Sequence, residues 1–190
     1  MIKPFLLIFF LVSLFFLAIA ILIYNHLVAR KNCVEYAFSA IDVMLKKRAD
    51  LVPRLVSTVK GYMTHEKEVL AKITEIRAQA ISPELKEKQR FEKENILSAL
   101  LSHFMITVEN YPILKSNENF LQLQAALNEI EEQIAAARRA YNASVFNYNN
   151  SIEIFPSKII ADMAGYKKKI FFEIPEEEKA SPKINTGTSL

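Results

Sequence analysis

Apolar residues follow two different patterns along this chain. From Phe5 to Ile23 they are continuous, FLLIFFLVSLFFLAIAILI, with no charge and a single Ser. Nineteen helical residues rise about 28 Å, close to the hydrocarbon thickness of a bilayer. Helices and closed barrels alone satisfy their backbone polar groups in lipid, and this run is too long for one barrel strand. It predicts a transmembrane helix. Tyr24, Asn25, His26, Arg30 and Lys31 then supply an interfacial edge. A cleaved signal peptide is the competing reading, because Ala18-x-Ala20 offers a small-x-small site. Ile21, Leu22 and Ile23 continue the apolar run beyond it, which favours an uncleaved anchor. Arg30-Lys31-Asn32 precedes Cys33, so no lipobox surrounds that cysteine.

Beyond the anchor, apolar residues recur at steps of three and four, the spacing of an amphipathic helix. Three long helical stretches follow. The first runs on from the membrane through Val34, Ile41 and Leu45, then Val52, Leu55 and Val59, then Ile73, Ile76 and Ala80. Pro53 interrupts it and predicts a kink or a short break near Asp50 to Val52. Ser82-Pro83-Glu84 reads as a turn and restart, with Ser as N-cap and Pro at the first helical position. The second helix is expected from Pro83 to about Asn110, ended by Tyr111-Pro112. The third is the most regular, from Phe120 through Leu127, Ile134, Tyr141 and Tyr148 to Phe155, with Asn117 as N-cap. Pro156 closes it and opens a short fourth helix to about Ala164, with Gly165 at its C-terminal end. Residues after Glu173 are polar, charged and Pro-containing, and read as a disordered tail.

These patterns predict an all-α protein: an N-terminal transmembrane helix continuing into an antiparallel helical bundle of three long helices plus a short fourth. The expected divisions are an anchor over 1–24, a bundle over 25–173 and a tail over 174–190. With the first helix continuous to Ala80, the second folds back along its outer part. The third then runs outward again, and the fourth returns toward the membrane or packs across the third's end.

Composition narrows the chemistry. Three Gly, none close to another, exclude glycine-rich phosphate loops and argue against turn-rich β folds. One Cys excludes a disulfide framework and a Cys-based zinc site. Twenty-four basic residues face twenty-one acidic ones, which leaves no electrostatic footprint for nucleic acid. His65-Glu66 resembles the opening of a zincin helix motif, but Val69 stands where the second His belongs. No Ser lies in a Gly-x-Ser-x-Gly elbow, and Cys33 with His26 makes no triad. Neither catalytic residues, nor a metal site, nor a cofactor is expected. Arg30 and Lys31, with Lys46, Lys47 and Arg48 further on, outweigh Lys3 and place the long segment on the cytoplasmic side; the outer side stays open.

Two features carry interaction readings. Tyr141-Asn142 and Tyr148-Asn149 repeat at seven residues and so share a helix face. Packed Tyr rings with Asn bonds across helices are the structural reading, and a partner-docking face is the functional one. Asn110, Tyr111 and Asn117 raise the same choice between interhelical loop and recognition loop. Lys167-Lys168-Lys169 before Ile170-Phe171-Phe172, with Arg30 and Lys31, forms a candidate lipid contact if the fourth segment returns to the membrane.

Taken in order, these stretches resemble the LemA family. The resemblance is carried by Tyr24-Asn25-x-Leu27-Val28, Ala40-Ile41-Asp42-Val43 with Lys47-Arg48, Asp50-Leu51-Val52-Pro53, and Val59-Lys60-Gly61-Tyr62-x-x-His65-Glu66. Glu109-Asn110-Tyr111-Pro112, Asn117-Glu118-Asn119-Phe120-Leu121, Arg138-Arg139-x-Tyr141-Asn142 and Tyr148-Asn149 continue it. Phe155-Pro156 and Phe171-Phe172-Glu173 complete it. Arg54 departs from the Asn the family usually shows after the proline. The resemblance implies a bacterial, single-pass, largely helical membrane protein with no established activity or cofactor. It also implies a membrane-protein partner, with a membrane zinc metalloprotease as candidate, and relatives in magnetosome formation. The expected role is a membrane-anchored scaffold or adaptor; self-association with lipid organisation is the alternative, and an unrecognised enzyme the third reading.

Overall fold

A computed structural model describes residues 2–172, with side chains from Phe5 onward. The family-like Glu173 and the expected tail over 174–190 lie outside the described residues. Among the described residues all regular structure is helical: α1 Ile2–Val59, α2 Lys67–Ala80, α3 Glu87–Val108, α4 Pro112–Lys115, α5 Glu118–Glu153 and α6 Ser157–Met163. The chain divides into two compact units. The first takes residues up to Leu45 and Glu132–Phe171; the second takes Lys46–Glu131 and Phe172.

The start of α1 is long and apolar enough to cross a membrane. Its apolar side chains are bare, from Phe5 at 80% exposure to Leu22 at 69%. A helix that exposes its apolar side chains all round has lipid as the matching solvent. From Leu27 onward one face becomes buried, through Val34, Ala37, Ile41 and Leu45.

Pro53 sits inside α1 without ending it. The expected break near Asp50 to Val52 is therefore absent, and a specific contact accounts for the continuity. Proline has no N–H for the carbonyl four residues earlier, which is that of Ala49. The Arg77 Nε of α2 donates to the Ala49 oxygen instead, at 2.8 Å. The true break comes seven residues later. Lys60 to Glu66 form a turn around Gly61, with Met63 buried at its corner. Gly costs a helix interior about 1 kcal/mol, and Tyr, Thr and His nearby add little helix preference. So the stripe from Val69 to Ala80 belongs to a separate helix that turns back.

In the second unit α2, α3 and the start of α5 pack with the end of α1, and their directions follow from hydrogen bonds. Arg77 near the end of α2 meets Ala49, so α2 runs antiparallel to α1. Glu94 and Ser98 of α3 meet Arg48, while Tyr111 beyond its end meets Glu66. Hence α3 runs parallel to α1. Asn117 just before α5 bonds Tyr62, and Glu131 further along it meets Arg48, so α5 runs back again. The expected outward direction of the third long helix is thus reversed. The extra turn at Gly61 adds one helix, and each short connection inverts direction. The core between these helices holds Val52, Leu55, Ile73, Leu101, Phe104 and Phe120.

Helix ends differ in how well local sequence specifies them. α3 starts at Glu87 rather than Pro83, and Ser82 to Leu85 form a turn. Its entry is tied by the Lys86 backbone N–H donating to Gln89 Oε1 at 3.2 Å. Asn117 Oδ1 accepts the Phe120 N–H at 3.0 Å and caps α5. α5 ends at Glu153, and Phe155 is exposed rather than part of the buried stripe. α6 ends in a Schellman arrangement: Tyr166 N–H bonds the Ala161 oxygen and Gly165 N–H bonds the Asp162 oxygen. Gly165 supplies the required positive φ of 72°.

The core of the second unit also holds charge. Arg48 falls in register with Ile41, Leu45, Val52, Leu55 and Val59, and its side chain has no exposed surface. Its Nη2 donates to the Glu94 carbonyl at 3.1 Å and to the Glu94 carboxylate. Its Nη1 donates to Glu131 Oε1 at 2.7 Å and to the Ser98 hydroxyl. Glu94 is buried as well, and Glu131 is partly exposed. Breaking such a pair leaves a buried charge alone, at a cost of about 3–5 kcal/mol, whereas an apolar replacement of both partners is close to neutral.

Two outcomes follow. Arg48→Ala lowers the unfolding free energy by about 3–5 kcal/mol in denaturant titration, and Arg48→Met with Glu94→Leu recovers most of it. A loss under about 1 kcal/mol for the single variant contradicts the buried-pair account. Arg77→Ala destabilises by about 1–3 kcal/mol by orphaning the Ala49 oxygen. In a Pro53→Ala background, where residue 53 regains its N–H, the same substitution costs measurably less. Equal costs in both backgrounds break the link between Pro53 and Arg77.

Candidate functional site

The polar residues that the sequence marks for interaction fall in both units. In the first unit Tyr141, Tyr148 and Asn149 are buried on one face of α5. Seven residues of helix rise about 10.5 Å, and three residues of extended chain span about 10 Å. That match lets one helix face hold an extended segment in register. The segment after Gly165 uses it. Tyr148 hydroxyl donates to the Lys167 carbonyl at 2.9 Å, and Tyr141 hydroxyl donates to the Ile170 carbonyl at 3.0 Å. Between them Asn149 bonds Lys169 twice, accepting its N–H and donating to its carbonyl, both at 2.9 Å. An amide side chain thus reproduces the pairing of a neighbouring strand.

The expected Asn bonds across helices are replaced, at Asn149, by bonds to this extended segment. Asn142 is half-buried. Phe38 of α1 lies against Tyr141, with ring centroids 6.0 Å apart, and Tyr166 meets Tyr148 edge-on at 6.3 Å. In the second unit Phe172 is fully buried and stacks on Phe91, centroids 3.9 Å apart.

The loop residues serve the second unit's ends. Tyr111 donates its hydroxyl to the Glu66 carboxylate, and Asn117 donates from Nδ2 to the Tyr62 hydroxyl at 3.2 Å. Asn110 is exposed. Arg54, at the position where the family usually has Asn, points to solvent as well. His65 is exposed, and its neighbour Glu66 is committed to Tyr111. Among the described residues no group of three or more His, Cys, Asp or Glu side chains is placed to hold a metal ion.

The candidate lipid-contact residues form a looser set. Arg30 Nε donates to His26 Nε2 at 3.3 Å, and Lys31 pairs with Glu35 at 3.5 Å, one turn along. Lys167 is exposed, Lys168 pairs with Glu153, and Lys169 is half-buried through its backbone bonds to Asn149. Sequence reasoning missed Arg48, counting it among the flanking cations that set orientation. A partial signal was available: the stripe steps from Leu45 to Val52, and residues 48 and 49 fill that face between them.

Three tyrosines are held protonated. Burial pushes Tyr148 above its ordinary value of 10.0, with Tyr166 and Glu35 adding to the effect. Burial also raises Tyr166, next to Tyr24. Tyr111 is raised chiefly by its hydrogen bond to Glu66. A folded value above the unfolded one gives stability that is complete below pH 10 and lost as pH rises through the folded value. A tyrosinate at 148 also has no proton to give Lys167. Ultraviolet titration should show tyrosines ionising late, above pH 10, and Tyr148→Phe should remove one of them. Ionisation of Tyr148 at its ordinary value contradicts its burial under the segment.

The fold and these contacts define a membrane-associated, all-helical protein whose marked polar groups close largely on its own chain. Comparison with known proteins places it more narrowly. The sequence pattern of the LemA family matches residues 37–185, and the chain belongs to that family. It is 25% identical over 177 residues to Protein LemA of Metamycoplasma hominis, covering 90% of this chain and 81% of that one. It is 22% identical over 183 residues to magnetosome protein MamQ 2 of Paramagnetospirillum magneticum, covering 83% and 67%. Magnetosome protein MamQ of Magnetospirillum gryphiswaldense is 21% identical over 182 residues, with the same coverage.

Proposed function

We propose that this protein is a non-enzymatic, single-pass, membrane-anchored scaffold or adaptor that acts through protein contacts at the membrane. Phe5 to Ile23 span the bilayer, and the helical part stands on the cytoplasmic side. What carries the reading is where the chain puts its chemistry. Arg48 with Glu94, Tyr111 with Glu66, and Tyr141, Tyr148 and Asn149 with the 167–170 backbone are committed to holding the fold. Large apolar side chains also stand exposed on its helix surfaces, such as Ile106 at 71% and Phe146 at 62%. Exposed apolar groups next to polar ones are the material of protein contacts. A membrane protein is the expected partner, and a membrane zinc metalloprotease is the candidate among them.

The second reading is a self-assembling protein that organises lipid. The likeness to proteins named for the magnetosome favours it. Photocrosslinking residues placed at Ile106 and Phe146 separate the two in native membranes. Discrete links to another membrane protein, identified by mass spectrometry, are the expected result. Links between copies of this chain alone move the assignment to self-assembly.

A further inference from the structure

We infer that the turn from α5 into α6 is a second membrane contact: it seats in the headgroup and upper acyl region of the leaflet from which α1 emerges. This rests on the reading of Phe5 to Ile23 as a bilayer span.

The level of the turn follows from the first unit alone. There α5 runs antiparallel to α1, since Tyr141 lies on Phe38 while Tyr166, beyond the end of α5, interacts with Tyr24. Fourteen residues separate Phe38 from Tyr24 toward the membrane, and fourteen separate Tyr141 from Phe155. At equal rise both distances are about 21 Å, so α5 ends level with the first polar residue after the span. Tyr166 interacts with Tyr24 and also meets Tyr148, so the chain leaving α6 lies between those two levels.

The turn is apolar where it is bare. Phe155 is 81% exposed and Met163 84%, and Ile154 and Ile159 are exposed beside them. Phe155, Ile159 and Met163 are spaced by four, whereas Ala161 of α6 is buried against the protein. Four large apolar side chains in one short turn are costly in water and favourable at a lipid interface. The surrounding charge selects an anionic one. Residues 24–35 and 153–171 carry six basic and three acidic side chains. Lys158 and Lys168 pair with Asp162 and Glu153, while Lys167 is exposed and has reach to snorkel toward headgroups. Continuity with the span, at matched height, singles out lipid rather than a second protein as the occupant.

Site-specific fluorescence on the full chain tests this. Cys33 is the sole cysteine and is exposed, about 13 Å beyond Tyr24 along α1. It serves as the aqueous control. In a Cys33→Ser background, Phe155→Cys, Met163→Cys and Ser13→Cys each carry an environment-sensitive dye. The protein is reconstituted in vesicles of phosphatidylcholine and phosphatidylglycerol. Nitroxide-labelled lipids should quench the dye at 155 and 163 strongly, with blue-shifted emission and loss of iodide quenching relative to Cys33. Iodide quenching at 155 and 163 equal to that at Cys33, with lipid quenching kept at 13, overturns the inference and leaves the span intact. Loss of lipid quenching at 13 defeats the span reading instead. Blue-shifted emission at 155 that neither quencher reaches, and that falls on dilution into more lipid, means a second copy covers the turn and also overturns the inference.

Discussion

A guanidinium with no exposed surface needs acceptors from the protein, and the two Nη atoms of Arg48 impose that requirement on the second unit. Its acceptors come from α3 and α5: the Glu94 carbonyl and carboxylate, the Ser98 hydroxyl and the Glu131 carboxylate. Apolar stripes alone tolerate sliding by a turn, because one Leu replaces another at little cost. A buried charge does not, since a shift of one turn on α3 or α5 takes the carboxylate away and leaves the cation bare. The register of three helices is therefore set at one level, and Val52, Leu55, Phe104 and Phe120 pack from there.

The direction of each helix then depends on a modest local event. Lys60 to Glu66 do not continue α1, and α2 turns back. One additional helix makes α5 antiparallel to α1. The placement of Tyr166 beside Tyr24 is a consequence of that inversion. The same inversion lets the segment after Gly165 run back along α5, where the seven-residue spacing of Tyr141 and Tyr148 meets the carbonyls of Ile170 and Lys167.

Much of the fold was legible. The apolar run from Phe5, the faces of the long helices, the Asn117 cap and the Pro156 to Gly165 frame of the short helix all follow from local rules of periodicity and capping. Of the kink or break expected at Pro53, the break is absent because the penalty is local while its remedy is not: Arg77, twenty-eight residues from Ala49, supplies the missing donor. Ser82 was misread because a capping residue and a turn residue share the same chemistry. Of the interaction candidates, the sequence identified Tyr141-Asn142 and Tyr148-Asn149 as a seven-residue repeat whose like positions share a face. It held no information on which strand of chain would lie across them.

What the sequence by itself determined is therefore the set of helices and the face each one buries, because those depend on spacing within a few turns. Which helix lies beside which, in what direction, and what meets Arg48 or Asn149 was decided only in the tertiary structure. The reason is physical: periodicity specifies that a face is apolar and must be covered, but many partners cover it nearly equally well. Only the buried polar groups, with directional bonds and a large cost when unmatched, distinguish among those partners, and their acceptors lie far away along the chain.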